Sequence, residues 1–226
     1  MNDALEHLAG LGALKTWLAA HLPLLREGGT LTPRAIVLAG LPGTGKHSVS
    51  RGIASAIGRP LTTFTSVAAI DPTSIVLVED LGREHLPLIR RLATPEETPP
   101  FVIAQTERPW ELPAGLLRAD AIETVWHLDL PDVKERAEIW DIAAKRLGHR
   151  NPGFDNVILA RASHELTPAE IHAAYARAAR SRPQAPTERH LFEAMVGLQP
   201  LIAARKEDLL RLTYWTRRCA TPARGA

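Results

Sequence analysis

The chain has 226 residues, 45% apolar and 23% charged, proportions that allow a sizeable buried core and exclude wholesale disorder. At roughly 100–200 residues per domain this is one large domain or two small ones, with no room for a third. Lys and Arg total 27 against 25 Asp and Glu, and a formal charge of +2 gives no electrostatic case for nucleic-acid binding.

The single cysteine, Cys219, excludes a disulfide framework and a cysteine-based metal site within one chain, and it fits a reducing compartment. Asp3 and Glu6 stand where a signal peptide would carry positive charge, and no apolar run has the length needed to span a bilayer. The sequence therefore predicts a soluble, cytoplasmic protein with no membrane segment.

Over residues 5–27, Leu5, Leu8, Leu11, Leu14, Trp17, Leu18, His21 and Leu25 recur at helical spacing, interrupted by Gly10 and Gly12. This predicts a turn and then an amphipathic helix ended by Gly28-Gly29. Ala35-Ile36-Val37-Leu38-Ala39 is apolar on both faces, as in a strand buried inside a parallel sheet. After a glycine-rich turn, Val49, Ile53, Ala54 and Ile57 predict a helix from Lys46, closed by Gly58 and Pro60. Ile75-Val76-Leu77-Val78, Phe101-Val102-Ile103-Ala104 and Val125-Trp126-His127-Leu128 read as further strands, with a short helix over Leu86 to Leu92.

The alternation predicts an α/β domain with a mostly parallel sheet over residues 1–131. Beyond Pro131 only helices are expected, over about 132–147, 156–163, 167–181, 187–197 and 202–218, forming an all-helical part over 132–226. Asp132 with Glu135 and Thr167 with Glu170 have the spacing of capping boxes.

Gly40-Leu41-Pro42-Gly43-Thr44-Gly45-Lys46 follows a buried strand and opens a helix, the context in which G-x-x-x-x-G-K means phosphate binding. Glycines let consecutive backbone N–H groups converge on phosphate oxygens. The helix N-terminus adds positive potential, and Lys46 brings an ammonium to the terminal phosphates. The next residue is the usual place for a Mg²⁺-binding hydroxyl, but His47 stands there and Ser48 comes one position late. Mg²⁺ is then held through water or weakly, and the plainest role for His47 is an exposed side chain on the first helical turn. Glu79-Asp80 at the end of a parallel strand supplies carboxylates that face the phosphates, able to orient a metal and polarise a water.

Taken together these residues resemble the AAA+ ATPases, specifically the bacterial and chloroplast-type AAA proteins, over nearly the whole chain. Leu8 to Leu11 with Leu14 to Leu18 is similar to their "GL..LK.WL" entry. Gly40 to Lys46 resembles Walker A, and Ile75 to Asp80 resembles Walker B. Phe101 to Leu117 looks like sensor 1 and the "LP..LL" segment after it. Leu128 to Arg136 resembles the "DLP..EER" junction to a helical lid, and Thr167 to Ile171 resembles the lid's "SGAEI". The resemblance implies ATP or ADP held between an α/β core and a lid, usually in a ring, acting on a protein partner or alongside other AAA+ subunits. It assigns Gly40, Pro42, Gly43, Thr44, Gly45, Lys46, His47 and Ser48 to the nucleotide, Glu79 to the metal and Asp80 to water activation.

Several positions depart from the family pattern. Walker B reads Glu79-Asp80 rather than Asp-Glu. Glu107 stands where sensor 1 offers Asn, an unfavourable charge unless Arg108 or Lys46 neutralises it. Ala121 occupies the arginine-finger position, with Arg118 the nearest substitute. Between Leu61 and Ser74 there is no room for the helix and aromatic pore loop of AAA unfoldases, which argues against a threading motor. Two functions stay open: a weak or assembly-dependent ATPase, and a pseudo-ATPase adaptor or regulatory subunit that binds nucleotide structurally. A DNA-associated AAA+ factor is a third reading, and the chain lacks the basic face that would favour it.

The nine histidines show no metal spacing, and His164 and His172 are read as surface or core residues. Leu210, Tyr214 and Trp215 are expected to pack back on the core, with partner binding as the second reading. Arg217, Arg218 and Arg224 are expected to form a solvated basic end.

Overall fold

A computed structural model describes Leu5 and residues 7–94, 99–149 and 153–225; Asp3 and Glu6 lie outside the described residues. Helix α1 (Gly12–Glu27) leads into β1 (Ala35–Ala39) and α2 (Lys46–Ile57). Next come β2 (Leu61–Thr63), β3 (Ile75–Val78), α3 (Leu86–Leu92), β4 (Phe101–Thr106) and β5 (Thr124–His127). The remaining elements are α4 (Val133–Arg146), α5 (Asn156–Ala162), α6 (Pro168–Ser181), α7 (Glu188–Val196), α8 (Leu201–Ala204), α9 (Lys206–Cys219) and β6 (Thr221–Pro222).

The strands form one sheet in the order β2-β3-β4-β1-β5-β6, with every pairing parallel. Period-two geometry sends alternate residues to opposite faces. Ile36, Leu38, Ile75, Leu77, Phe101 and Ile103 pack with α1 and α2, whereas Ala35, Val37, Val76, Val78, Val102 and Ala104 pack with α3 and the turns around Leu116. Both faces are covered, which is why these strands read as unbroken apolar runs.

Beyond Pro131, α4 to α7 build a separate core around Trp140 and Tyr175, both fully buried. Asp132 accepts from the backbone N–H groups of Lys134 and Glu135, while Glu135 accepts from that of Asp132. Thr167 and Glu170 form the same reciprocal box at the start of α6. The Trp140 indole donates to Ser163 Oγ at 3.0 Å. Buried Arg136 donates to the carbonyls of Ala160 and Pro131, fixing the junction between the two parts.

The C-terminal segment differs from its expected form. Instead of one helix over 202–218 there are two, parted at Arg205 (φ −121°), and the break lets Ile202 and Leu212 both bury beside Leu41. The stripe that faces inward on α9 is Leu209, Leu212 and Thr216, so Leu210 and Tyr214 point outward at 64% and 63% exposure. The basic end is not wholly solvated: Ala223 N–H donates to His127 O, and Arg224 binds Glu135 and the Leu130 carbonyl. β2 and β6 were not expected. Each is a two- or three-residue edge strand with almost no apolar pattern, recruited by a longer neighbour. Among the described residues, no helix is long and apolar enough to cross a membrane.

Candidate functional site

The loop between β1 and α2 brings together the residues expected to hold phosphate. Gly43 has φ +80°, and a Cβ there would lie 2.8 Å from Thr167 Oγ1. A Cβ on Gly40 would come within 2.6 Å of the Leu128 carbonyl. These glycines let the loop fold tightly between β5 and the start of α6, and Gly43 O accepts from Ala169 N–H at 3.2 Å. Loop and lid therefore touch directly.

Lys46 is buried, and its ammonium donates to the carbonyls of Gly40 (2.8 Å) and Leu41 (3.0 Å). Burial lowers its pKa, opposed by the negative charges of Glu107 and Asp80. The loop's own carbonyls thus hold a cation that phosphate oxygens would compete for. Thr44 Oγ1 donates to Leu41 O, and Ser50, which donates to Lys46 O, receives the Gln105 amide at 2.8 Å, tying α2 to β4.

Glu79 and Asp80 leave the end of β3 exposed. His47 Nδ1 lies 3.7 Å from Glu79 Oε1, with both side chains more than half exposed. Mg²⁺ takes hard oxygen ligands in a near-ideal octahedron. Glu79 offers one, but His47 offers nitrogen, and Ser48 is turned about 100° further round the helix. These residues do not fit a tightly held Mg²⁺.

The charge of Glu107 acts on Lys46 and, as a lesser effect, on Arg108, as the sequence suggests, and it is also faced by Arg205, to which the sequence did not point. Arg205 Nη1 lies 3.9 Å from its carboxylate and 2.9 Å from Asp208, while Arg108 is drawn away to Asp208 and Glu111. Ala121 is buried, and Arg118 is engaged within its own loop by Asp120, Nε to Oδ1 at 2.9 Å.

A cavity of about 1410 Å³ opens beside the loop, bounded by Gly43 to His47, the N-terminal Leu8 and Leu11, and lid residues Ile139 and His172. Glu79 and Glu107 line it; Gly40 and Asp80 do not. It also receives His127, whose buried Nε2 has no hydrogen-bond partner among the described residues. His172, Arg146, Arg217 and His127 were not singled out by motif. Their convergence depends on how the lid and C-terminus pack, which local spacing does not encode.

A parallel sheet with a glycine-rich loop after one of its middle strands, and a helical part packed against that loop, is an α/β fold of AAA-domain type. In sequence and in fold the chain resembles AAA domains. It is 25% identical to the AAA domain-containing protein ycf46 of Trieres chinensis over 95% of its length and 52% of that protein's. It is 26% identical to the ATP-dependent zinc metalloprotease FtsH of a Synechococcus strain over 70% of its length and 34% of that protein's. The chain thus spans about half or less of these curated relatives. No protein-family model matches it. Among solved structures, the FIGL-1 AAA domain superposes with a TM-score of 0.72 at 18% identity, covering 94% of this chain and 88% of that one. The same domain in complex with ADP superposes at 0.70, covering 96% and 90%.

Proposed function

We propose that the chain binds ATP and ADP in the cleft between the phosphate loop and the lid, and hydrolyses ATP slowly or only within an assembly. The observation that carries this is the buried Lys46 ammonium at the mouth of α2, opening on a cavity closed by lid residues. The backbone of Gly40 to Lys46 and the start of α2 at His47 and Ser48 hold the phosphates. Glu79 is the carboxylate for a weakly held Mg²⁺, and Asp80 takes the proton from the attacking water. The division near Pro131 belongs to this reading, with residues 201–225 returning from the lid side to brace the core. The protein works in the cytoplasm, on a protein partner or with further AAA+ subunits.

A second reading, an adaptor for which bound nucleotide sets a conformation rather than a turnover, is favoured by His47, Glu107 and Ala121 together. Calorimetry with ATP and ADP tests the shared premise. Lys46→Ala is expected to weaken binding at least tenfold, since it removes a charge-assisted contact. No binding by the native chain at millimolar nucleotide overturns both readings. ADP release by the native chain then separates enzyme from adaptor.

A further inference from the structure

We propose that the cavity takes a nucleotide bearing a second phosphate on its ribose, and that Arg146 and His172 of the lid receive that phosphate. The proposal rests on the nucleotide reading above and names a narrower ligand for the same cleft. Among the described residues, the arginines that line the cavity are Arg51, Arg146, Arg217 and Arg224. Glu135 meets Arg224 at 2.9 Å, whereas Arg146 has no carboxylate partner among the described residues. The lid end of the cavity therefore carries a cation that the protein itself does not neutralise.

Helix geometry aims this cation inward. Ile139, Ile142 and Arg146 stand at i, i+3 and i+7 on α4, so the face of the helix that borders the cavity ends in a guanidinium. From α6, Ala169 and His172 border the same cavity, again at i and i+3. Ala169 N–H is the group that donates to Gly43 O of the glycine loop, and His172 lies about 4.5 Å of helical rise beyond it. A second phosphate on the ribose stands one sugar away from the 5′-phosphate, a spacing comparable to that one turn. The two isoleucines suit a neutral base, but an ordinary nucleoside leaves Arg146 and His172 with no anion between them. Burial lowers the His172 pKa and the Arg146 charge lowers it further, as for two close neighbours of like sign. A phosphate between them relieves that repulsion, taking both the guanidinium fork and an imidazole N–H.

The test measures, by calorimetry, binding of ADP, of ADP phosphorylated on the ribose 3′ or 2′ oxygen, and of ADP in the presence of inorganic phosphate, to the native chain and to Arg146→Ala. The native chain is expected to bind one of the ribose-phosphorylated forms about tenfold or more tightly than ADP. Arg146→Ala is expected to bring that ratio to within about twofold of one. In NMR titrations the His172 ring is expected to protonate at higher pH with the ribose-phosphorylated ligand bound than with ADP bound, because an anion beside an imidazole favours its charged form. Equal native affinities for ADP and both ribose-phosphorylated forms, or a preference that Arg146→Ala leaves unchanged, overturn the second-phosphate site and leave the nucleotide reading standing. Inorganic phosphate that strengthens ADP binding as much as the ribose phosphate does makes the pair a free-anion site and overturns the ligand class. No binding of any of these nucleotides overturns the nucleotide reading and this inference with it.

Discussion

Arg224 Nη2 lies 2.9 Å from Glu135 Oε2, so a residue at the end of the chain is tied to the first turn of the first lid helix. The same carboxylate oxygen accepts from the Asp132 N–H at 2.8 Å, and Arg224 also reaches the Leu130 carbonyl. With β6 paired to β5, the C-terminal segment straps the junction between core and lid. Burial raises the Glu135 pKa, and the Arg224 charge partly offsets this.

Arg224→Ala leaves a largely buried carboxylate without its cation. It is expected to cost about 1–3 kcal/mol, read as a lower urea midpoint. Glu135→Gln in that background is expected to restore part of the loss, because the amide oxygen still accepts from Asp132 without needing a cation. An unchanged midpoint in Arg224→Ala would mean the strap carries no stability.

The pair Glu107 and Arg205 gives a prediction about nucleotide charge. On the proposed nucleotide reading, without Arg205 only Lys46 offsets the charge of Glu107 beside the terminal phosphate, and two like charges a few ångströms apart near a protein surface repel by about 1–2 kcal/mol after solvent screening. Arg205→Ala is expected to weaken ATP binding about tenfold while changing ADP much less, since only ATP has the extra phosphate. Glu107→Asn is expected to restore ATP affinity in the same background. Equal losses for ATP and ADP would point to a fold defect instead.

The central strands, the glycine-rich turn into α2 and both capping boxes were legible because each is a local pattern: unbroken apolar runs that bury both strand faces, glycines ahead of a helix, and a carboxylate three residues after a cap. Leu210 and Tyr214 misled because helical periodicity marks an apolar stripe without fixing which stripe turns inward. Leu209 and Leu212 take the core side. β2, β6 and the Arg224 clasp depend on partners far away in sequence. So does the approach of His47 to Glu79, each visible alone at the end of its own element, but not as a facing pair.

His127 and His172 make stability depend on pH. Burial lowers the pKa of both; Arg224 adds to this for His127 against the pull of Asp129, and Arg146 adds to it for His172. Between their folded values and the ordinary value near 6.5, the unfolded chain binds more protons, so stability rises with pH across that window. The contribution is fully present above about pH 6.5 and is lost as pH falls through the folded values. The urea midpoint is expected to be lower at about pH 5.5 than at about pH 7, and the double variant His127→Gln/His172→Asn is expected to flatten the difference. A native midpoint that is flat or rises on acidification would contradict neutral burial of the two rings.

The last prediction concerns assembly. In AAA+ rings an arginine from one subunit reaches the neighbour's terminal phosphate and offsets charge that develops in the transition state, worth roughly 10³–10⁵ in rate where such fingers are measured. The resemblance assigns that position to Ala121, which is buried against the sheet, and Arg118, three residues earlier, is already paired with Asp120 through two hydrogen bonds. To serve a neighbour, Arg118 would first have to leave that carboxylate. Turnover per chain is therefore expected to stay low across a wide range of protein concentration and to be unaffected by Arg118→Ala. Asp120→Ala sharpens the test, since it frees the guanidinium without removing it. If turnover climbs with concentration in Asp120→Ala and the climb disappears in Asp120→Ala/Arg118→Ala, Arg118 is a finger held in reserve by its own loop, and the enzyme reading gains over the adaptor. Concentration-dependent turnover that survives both substitutions would place the transition-state cation elsewhere in the chain.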